Sequence, residues 1–540
     1  MRGVQGGGHR LRGGGPRDSL PRAGHAGGLR GDLPGPWPGM FRLLRPRRRN
    51  QPREPDRVLR ASRHPAGASA AAGSRHQRLC RGFPGRGRPA RRQHRLRSGV
   101  MSGSTRRFEV KPLSRVEGEG ALRVRVDGER VEVAEFNIYE PPRFFERILL
   151  GREVHEVPDI TARICGICPV AYQMSSCHAL EKALGVEVTP GIRTLRRLLY
   201  CGEWIQSHAL HIHLLHAPDF LGYDSGFTMA AEFPELVENG LRLKAIGNRL
   251  LELLGGRAVH PINVTVGGFY KTPSAAAIRG MLPDLEWGLA TSLELAETVA
   301  HFEFPRFSQR YECVALRHAD EYPMNEGLIV AEGGPAGPLE IPVEDYDRHF
   351  AERHVPQSTA LHSVRLPGET AYLTGPISRL NLCREQLPPR SAEVLDRLGL
   401  EWPLANAFES IIARAVEMAA AFEIASTIAA DAATEISPSR VPYEPRSGEG
   451  CHATEAPRGL LYHRYRLGED GLVAAAEIVP PTSQNQARIE ADLLGLLPEV
   501  LALDDAAATQ RCEALIRSYD PCISCATHFL TLSVERPGRS

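Results

Sequence analysis

Four cysteines stand in two pairs of identical spacing, Cys165 and Cys168 in ITARICGICPV and Cys522 and Cys525 in SYDPCISCATH. A C-x-x-C spacing lets two sulfurs turn toward one ion, and four thiolates together form a soft site that suits zinc, an iron–sulfur cluster or nickel. Zinc ribbons keep their pairs about 15–20 residues apart, so that the ion organises a small fold. In this chain more than 350 residues separate the pairs. A segment of that length folds around its own core and needs no metal staple. A site closed by its two ends therefore reads as functional. Cys80, Cys177, Cys201, Cys313, Cys383, Cys451 and Cys512 are scattered singly and read as small buried hydrophobes. No apolar signal region of the required length precedes them, so the thiols point to a reducing, cytoplasmic compartment.

The elements that must carry these cysteines follow from periodicity. Residues 121–139 alternate apolar and polar positions around an Asp-Gly turn at Asp127 and Gly128, the pattern of a β-hairpin. Helical periodicity dominates about 171–254 and returns in LEWGLATSLELAETVAHFEF and ANAFESIIARAVEMAAAFEIASTIAADAATE. Residues 307–390 mix short apolar runs with Gly and Pro, and LLYHRYRLGEDGLVAAAEIVP predicts a second hairpin turning at Gly468 to Gly471. The fold class expected is mainly α with α+β insertions, a long-helix bundle with peripheral β-hairpins. The most apolar helix is interrupted by Glu417, Glu423 and Asp431, so no membrane span is expected. No internal repeat is visible.

The chain has 540 residues, 42% of them hydrophobic, and a net charge of +2, which allows large cores. Most of the positive excess lies in residues 1–100, a segment rich in Arg, Gly and Pro that cannot bury enough apolar surface to fold. No aromatics alternate with its arginines and no base-reading module follows, so no nucleic-acid partner is expected. Met101, opening MSGSTRRFEVKPLSRVEGEG, reads as the natural start, and the upstream part as an extension. The folded domain is expected over 101–528.

RICGIC at 163–168 and DPCISCATH at 520–528 resemble the two signature motifs of nickel-iron hydrogenase large subunits. SRVEGEG at 114–120, RFFERILLGR at 143–152, HALHIHLLHAPDF at 208–220, GGRAVHPINVTVGG at 255–268 and EAPRGLLYH at 455–463 match the same family. The resemblance runs from Met101 to the C-terminus, and it implies a nickel-iron hydrogenase large-subunit fold. It also implies that Cys165 and Cys522 are terminal nickel ligands. Cys168 and Cys525 would bridge nickel to an iron carrying carbon monoxide and cyanide. Hydrogen would be cleaved heterolytically, with a terminal thiolate such as Cys522 or the carboxylate of Glu117 taking the proton. Glu117 is the expected relay to solvent, while Glu119 has no assigned part. Arg458 would hang over the open metal position, oriented by Asp219 and Asp520. Glu146 and His528 would hold a second metal, magnesium or iron. Residues 529–540 would be a propeptide, cut after His528 by a maturation protease once nickel-insertion chaperones have loaded the metal.

Ala162 stands where many relatives have glutamate, and Tyr172 where many have histidine. His178 and the run His208, His211, His213 and His216 read as structural helix residues. The motifs look most like those of the cytoplasmic, bidirectional, NAD(P)-linked type. The chain has no G-x-G-x-x-G between a strand and a helix. Flavin-bearing diaphorase subunits and an iron–sulfur small subunit would therefore carry the flavin, the NAD(P) site and the clusters. Two competing readings are a non-catalytic four-cysteine zinc scaffold and a quinone-pocket relative in a respiratory complex. The latter shares the ancestry but lacks the cysteines, all four of which are present.

Overall fold

The structure is a computed structural model and describes residues 105–110, 113–127, 130–432 and 438–527. The Arg-rich opening segment, Cys80, Gly128, His528 and the tail at 529–540 lie outside the described residues.

Helices α1 (Pro169–Leu184), α2 (Pro190–Leu210), α3 (Pro234–Gly255), α4 (Leu282–Ala300) and α5 (Ser410–Ala430) form the body. Helix α2 starts cleanly because Thr189 caps it, accepting the Ile192 N–H, and Pro190 fills the first turn, where its missing N–H costs nothing. Helices α2 and α3 cross at two glycines. A Cβ on Gly247 would lie 2.7 Å from the Gln206 nitrogen and the Gly202 oxygen, so only glycine allows this approach. Gly288 of α4 likewise receives the ring of Phe422 from α5. Helix α5 is apolar on nearly every face and correspondingly buried along most of its length, as a central helix must be. Among the described residues, no helix is long and apolar enough to cross a membrane.

The sheets are small. Strands β1 (Thr105–Val110), β2 (Gly120–Asp127) and β3 (Arg130–Ile138) form an antiparallel meander that contains the first expected hairpin. Residues 307–390 supply β4 (Cys313–Arg317), β5 (Leu328–Glu332), β6 (Leu339–Ile341) and β7 (Leu373–Thr374), ordered β7-β4-β5-β6 with β7 parallel to β4. Strands β8 (Gly448–Ala456), β9 (Gly459–Leu467) and β10 (Val473–Val479) form the C-terminal sheet, with the second expected turn between β9 and β10. Its first strand lies hard against α1: a Cβ on Gly450 would come within 2.2 Å of the Ala179 oxygen. Helices α6 (Pro481–Val500) and α7 (Asp505–Ser518) follow, and α7 leads directly into the second cysteine pair.

Candidate metal centre

The two cysteine motifs reach the same place by different local devices. Cys168 precedes Pro169 at the start of α1, so the first motif is the entry loop of a buried helix. The second begins where α7 ends. Asp520 there adopts a left-handed conformation (φ 51°) before Pro521, a strained geometry that turns the chain inward. Cys522 then pairs as a parallel bridge with Glu117, and the Cys522 N–H donates to the Thr482 hydroxyl.

The four sulfurs converge, all within 4.8 Å of one another and all buried. Sγ of Cys165 lies 3.3 Å from that of Cys522, Cys168 3.9 Å from Cys525, and Cys522 2.7 Å from Cys525. Backbone N–H groups of Ile167 and Cys168 donate to Cys165 Sγ at 3.3 and 3.2 Å. Burial opposes charge on Cys165. Hydrogen bonds from the other three sulfurs and the charge of Arg458 outweigh it and hold this thiol well below its usual range. Burial, followed by the same neighbours, pushes Cys522 the other way. One thiolate is thus accommodated by the protein, whereas four need bound cations. The donor set fits a nickel-iron pair: soft, deeply buried and rich in negative charge.

Arg458 occupies the tip of a two-residue hairpin turn, since Ala456 of β8 pairs directly with Gly459 of β9. Its Nε donates to the Asp520 carbonyl at 2.7 Å and Nη2 to the Asp520 carboxylate at 3.1 Å. Nη1 is left without a partner among the described residues. Burial would favour the neutral form, yet Asp520 and the sulfurs of Cys522, Cys168 and Cys165 hold the guanidinium firmly charged. A fixed cation therefore faces the cysteines.

Asp219 requires a correction. Its carboxylate takes Arg517 through two bonds of 2.8 Å and Arg115 through one of 2.6 Å, leaving the orientation of Arg458 to Asp520. The reason is position: Asp219 lies between α7 and the segment before Glu117, and it ties Arg115 of that segment to Arg517 of α7.

Glu117 sits beside the second motif. Its carbonyl accepts the Ile523 N–H at 3.0 Å and its carboxylate the Ser524 N–H at 3.1 Å. Glu119 is exposed. Glu146 is buried and accepts the Ile478 N–H at 2.9 Å. Burial and the charges of Glu146 and Glu477 keep the nearby Glu352 carboxyl well above its usual range, so three carboxylates share one region. The expected partner of Glu146, His528, lies outside the described residues.

The histidine run is spent on packing. His208 Nε2 lies 3.1 Å from buried Glu417, His211 Nε2 meets the Arg517 carbonyl at 2.8 Å, and His216 Nε2 meets the Ser518 hydroxyl at 3.2 Å. His213 fills the space left by Gly240. His178 stacks on His452 at 4.5 Å between ring centroids.

Several supporting residues have no role assigned from sequence, although Arg143 opens the matched stretch RFFERILLGR. The Arg143 guanidinium donates to the Ile164 carbonyl at 2.7 Å and to the Ser524 carbonyl, lacing the two cysteine loops together. Glu203 accepts the Val170 and Ala171 N–H groups at 2.6 and 3.0 Å, fixing the start of α1. Arg379 forks onto Glu417 at 2.6 and 2.7 Å, reaches Glu455 at 2.8 Å and donates to the Ala456 and Pro457 carbonyls. It thereby clamps the hairpin tip that carries Arg458. An indirect signal for Arg379 existed: Glu417 inside so apolar a helix demands a buried cation somewhere.

The profile of the family described as "Nickel-dependent hydrogenase" matches residues 143–232 and 391–528. The alpha chain of sulfhydrogenase 2 from Pyrococcus furiosus is 33% identical over 433 residues, 79% of this chain and 100% of that protein. An F420-non-reducing hydrogenase chain of the vhc type from Methanococcus voltae is 26% identical over 78% of this chain and 95% of its own length. Among solved structures, an NAD+-reducing [NiFe]-hydrogenase in the H2-reduced state superposes with a TM-score of 0.72 at 26% identity, covering 79% of this chain and 100% of that one.

Proposed function

This chain belongs to the nickel-dependent hydrogenase family as its catalytic large subunit, and from that premise we propose that it splits hydrogen reversibly and passes the electrons, through partner subunits, to NAD(P). The observation that carries the proposal is the convergence of four buried sulfurs from opposite ends of the chain beneath a fixed, partly unpartnered arginine. Cys165, Cys168, Cys522 and Cys525 would hold the metals. The nickel-iron centre, with carbon monoxide and cyanide on iron, supplies the redox chemistry and the polarisation of hydrogen.

The protein's own groups do the rest. Asp520 holds Arg458 in place, and the arginine's Nη1, without a partner among the described residues, supplies positive charge at the side of the site where charge separates. The Glu117 carboxylate, beside Cys522 and bonded to Ser524, takes the proton and passes it outward. Glu146 with His528 would hold a second hard metal. The carboxylates of Glu146, Glu352 and Glu477 make that region attractive to a cation such as magnesium.

The NAD(P) link is supported by the name of the structural neighbour. The relatives named sulfhydrogenase and F420-non-reducing hydrogenase make sulfur and other carriers the alternatives to test. Flavin diaphorase subunits and an iron–sulfur small subunit are the partners this electron path requires. A cytoplasmic location agrees with ten described cysteines that are all buried and unpaired by disulfides.

Hydrogen–deuterium exchange by the purified complex, with metal analysis of the same sample, tests the core reading. Nickel and iron in comparable amounts with active exchange support it. Zinc alone, without exchange, would overturn it. Hydrogen-dependent reduction of NAD+, NADP+ or polysulfide then identifies the acceptor.

A further inference from the structure

Tyr172 lies four residues after Cys168, one turn into α1 on the side facing the sulfurs. It is 1% exposed. Its ring is held against His463, with centroids 5.7 Å apart and planes tilted by 55°. His463 is itself fixed by a 2.8 Å bond between its Nδ1 and the Tyr465 hydroxyl. The backbone is equally fixed, since the Tyr172 carbonyl accepts the Thr161 hydroxyl at 3.4 Å. The ring therefore has no freedom to carry its hydroxyl elsewhere.

That hydroxyl has no conventional hydrogen-bond partner among the described residues. Leaving a buried hydroxyl unsatisfied costs about 1–3 kcal/mol, and such groups in folded proteins almost always find an acceptor. The groups around it are the sulfurs of Cys525, Cys168 and Cys522. A protonated thiol is a poor acceptor. A metal-bound thiolate is a good one, so the site pairs an orphaned donor with sulfurs that become acceptors when metal is held.

We infer that the Tyr172 hydroxyl donates a hydrogen bond to the metal-bound thiolate of Cys525 and thereby lowers the electron density this sulfur gives to the metals. The inference rests on the four-thiolate nickel-iron centre proposed above. The phenol is suited to the task because a neutral hydroxyl donates without bringing a charge into the site. Hydrogen bonds to ligand sulfur raise the reduction potential of sulfur-ligated metals by withdrawing charge. Tyr172 is a positioning and tuning residue and does not touch hydrogen.

Tyr172→Phe removes one oxygen and keeps the ring against His463. In the assembled complex, the variant is expected to keep its nickel and iron. The sulfur, freed of its hydrogen bond, should donate more strongly, so the carbon monoxide and cyanide infrared bands shift to lower frequency and the nickel midpoint potential becomes more negative. Full metal content with bands and potential identical to the wild type would overturn the inference. If the Phe variant fails to load metal, 3-fluorotyrosine at position 172, a stronger donor of nearly the same shape, decides instead: bands moved to higher frequency support the inference and unmoved bands refute it. Failure of the underlying reading looks different, because wild-type complex would then lack nickel, iron and the infrared bands altogether.

Discussion

Glu117 and Asp219 are both acids next to the second cysteine motif, yet their surroundings assign them different work. Glu117 is partly buried, and among the described residues its carboxylate bonds only to the backbone N–H of Ser524 and forms no ion pair. Glu117→Gln preserves shape and acceptor but removes the titrating proton. Hydrogen–deuterium exchange should fall by about a hundredfold or more with nickel content unchanged, and full exchange would exclude the relay. Asp219 is locked between Arg517 and Arg115. Asp219→Asn removes the carboxylate that both arginines share and leaves Arg517 only Glu513, at 3.3 Å, as a counter-charge, which should cost about 1–3 kcal/mol. Calorimetry should show a lower melting temperature for this variant. An unchanged melting temperature with lost activity would instead favour a direct role at Arg458.

At the scale of elements, the C-terminal hairpin joins stability to the site. Strand β8 begins against α1 and ends at the turn that carries Arg458. His452 lies on this strand, stacked on His178 of α1, and meets the Asn325 carbonyl through Nε2 at 2.7 Å. Burial, with the charge of Lys182 second, lowers its pKa to about 4. In the unfolded chain the value is about 6.5. Because the folded pKa is depressed, the neutral ring contributes full stability above about pH 6.5, and this is lost as pH falls toward 4. The contribution is on the order of 3 kcal/mol. Thermal unfolding followed from about pH 7.5 to 4.5, the window those two values set, should therefore show a steep decline that His452→Gln makes shallower. Equal slopes for both proteins would show that β8 does not carry this acid sensitivity.

At the scale of the molecule, cysteine pairs more than 350 residues apart in sequence close one site, and the proposed order of assembly has the C-terminus reach its final place after the metals do. The backbone N–H of Arg143 donates to the Thr527 carbonyl at 2.5 Å, which pins the last described residue beside the cysteine loops. A tail beyond His528 containing Glu535, Arg536 and Arg539 could not enter this interior without a penalty of several kcal/mol, on the order expected for unpaired buried charges. The active, nickel-containing protein should therefore end at His528 by intact mass. Active enzyme still ending at Ser540 would eliminate processing.

Chemistry-bearing residue types and spacing were legible in the sequence alone: the two C-x-x-C pairs, the long helices, the paired strands of both hairpins and the wide separation that argued against a zinc staple. These are local properties of spacing and periodicity, and neighbouring residues determine them. What each charged residue pairs with was decided only by the tertiary structure. Asp219, expected beside Arg458, belongs to Arg517 and Arg115, while Arg458 keeps only Asp520 of its two expected partners, and Arg379 belongs to a hairpin tip far from it in sequence. Such pairings depend on how α1, α5, α7 and β8 cross, and buried charges take whichever partner that crossing presents, because an unpaired charge in the interior costs more than any local preference can offset. Tyr172 belongs to the same class. Its departure from the expected histidine was visible in the sequence, but that its hydroxyl is sealed against the sulfurs with no other partner among the described residues emerges only when α1 packs beside the second cysteine motif.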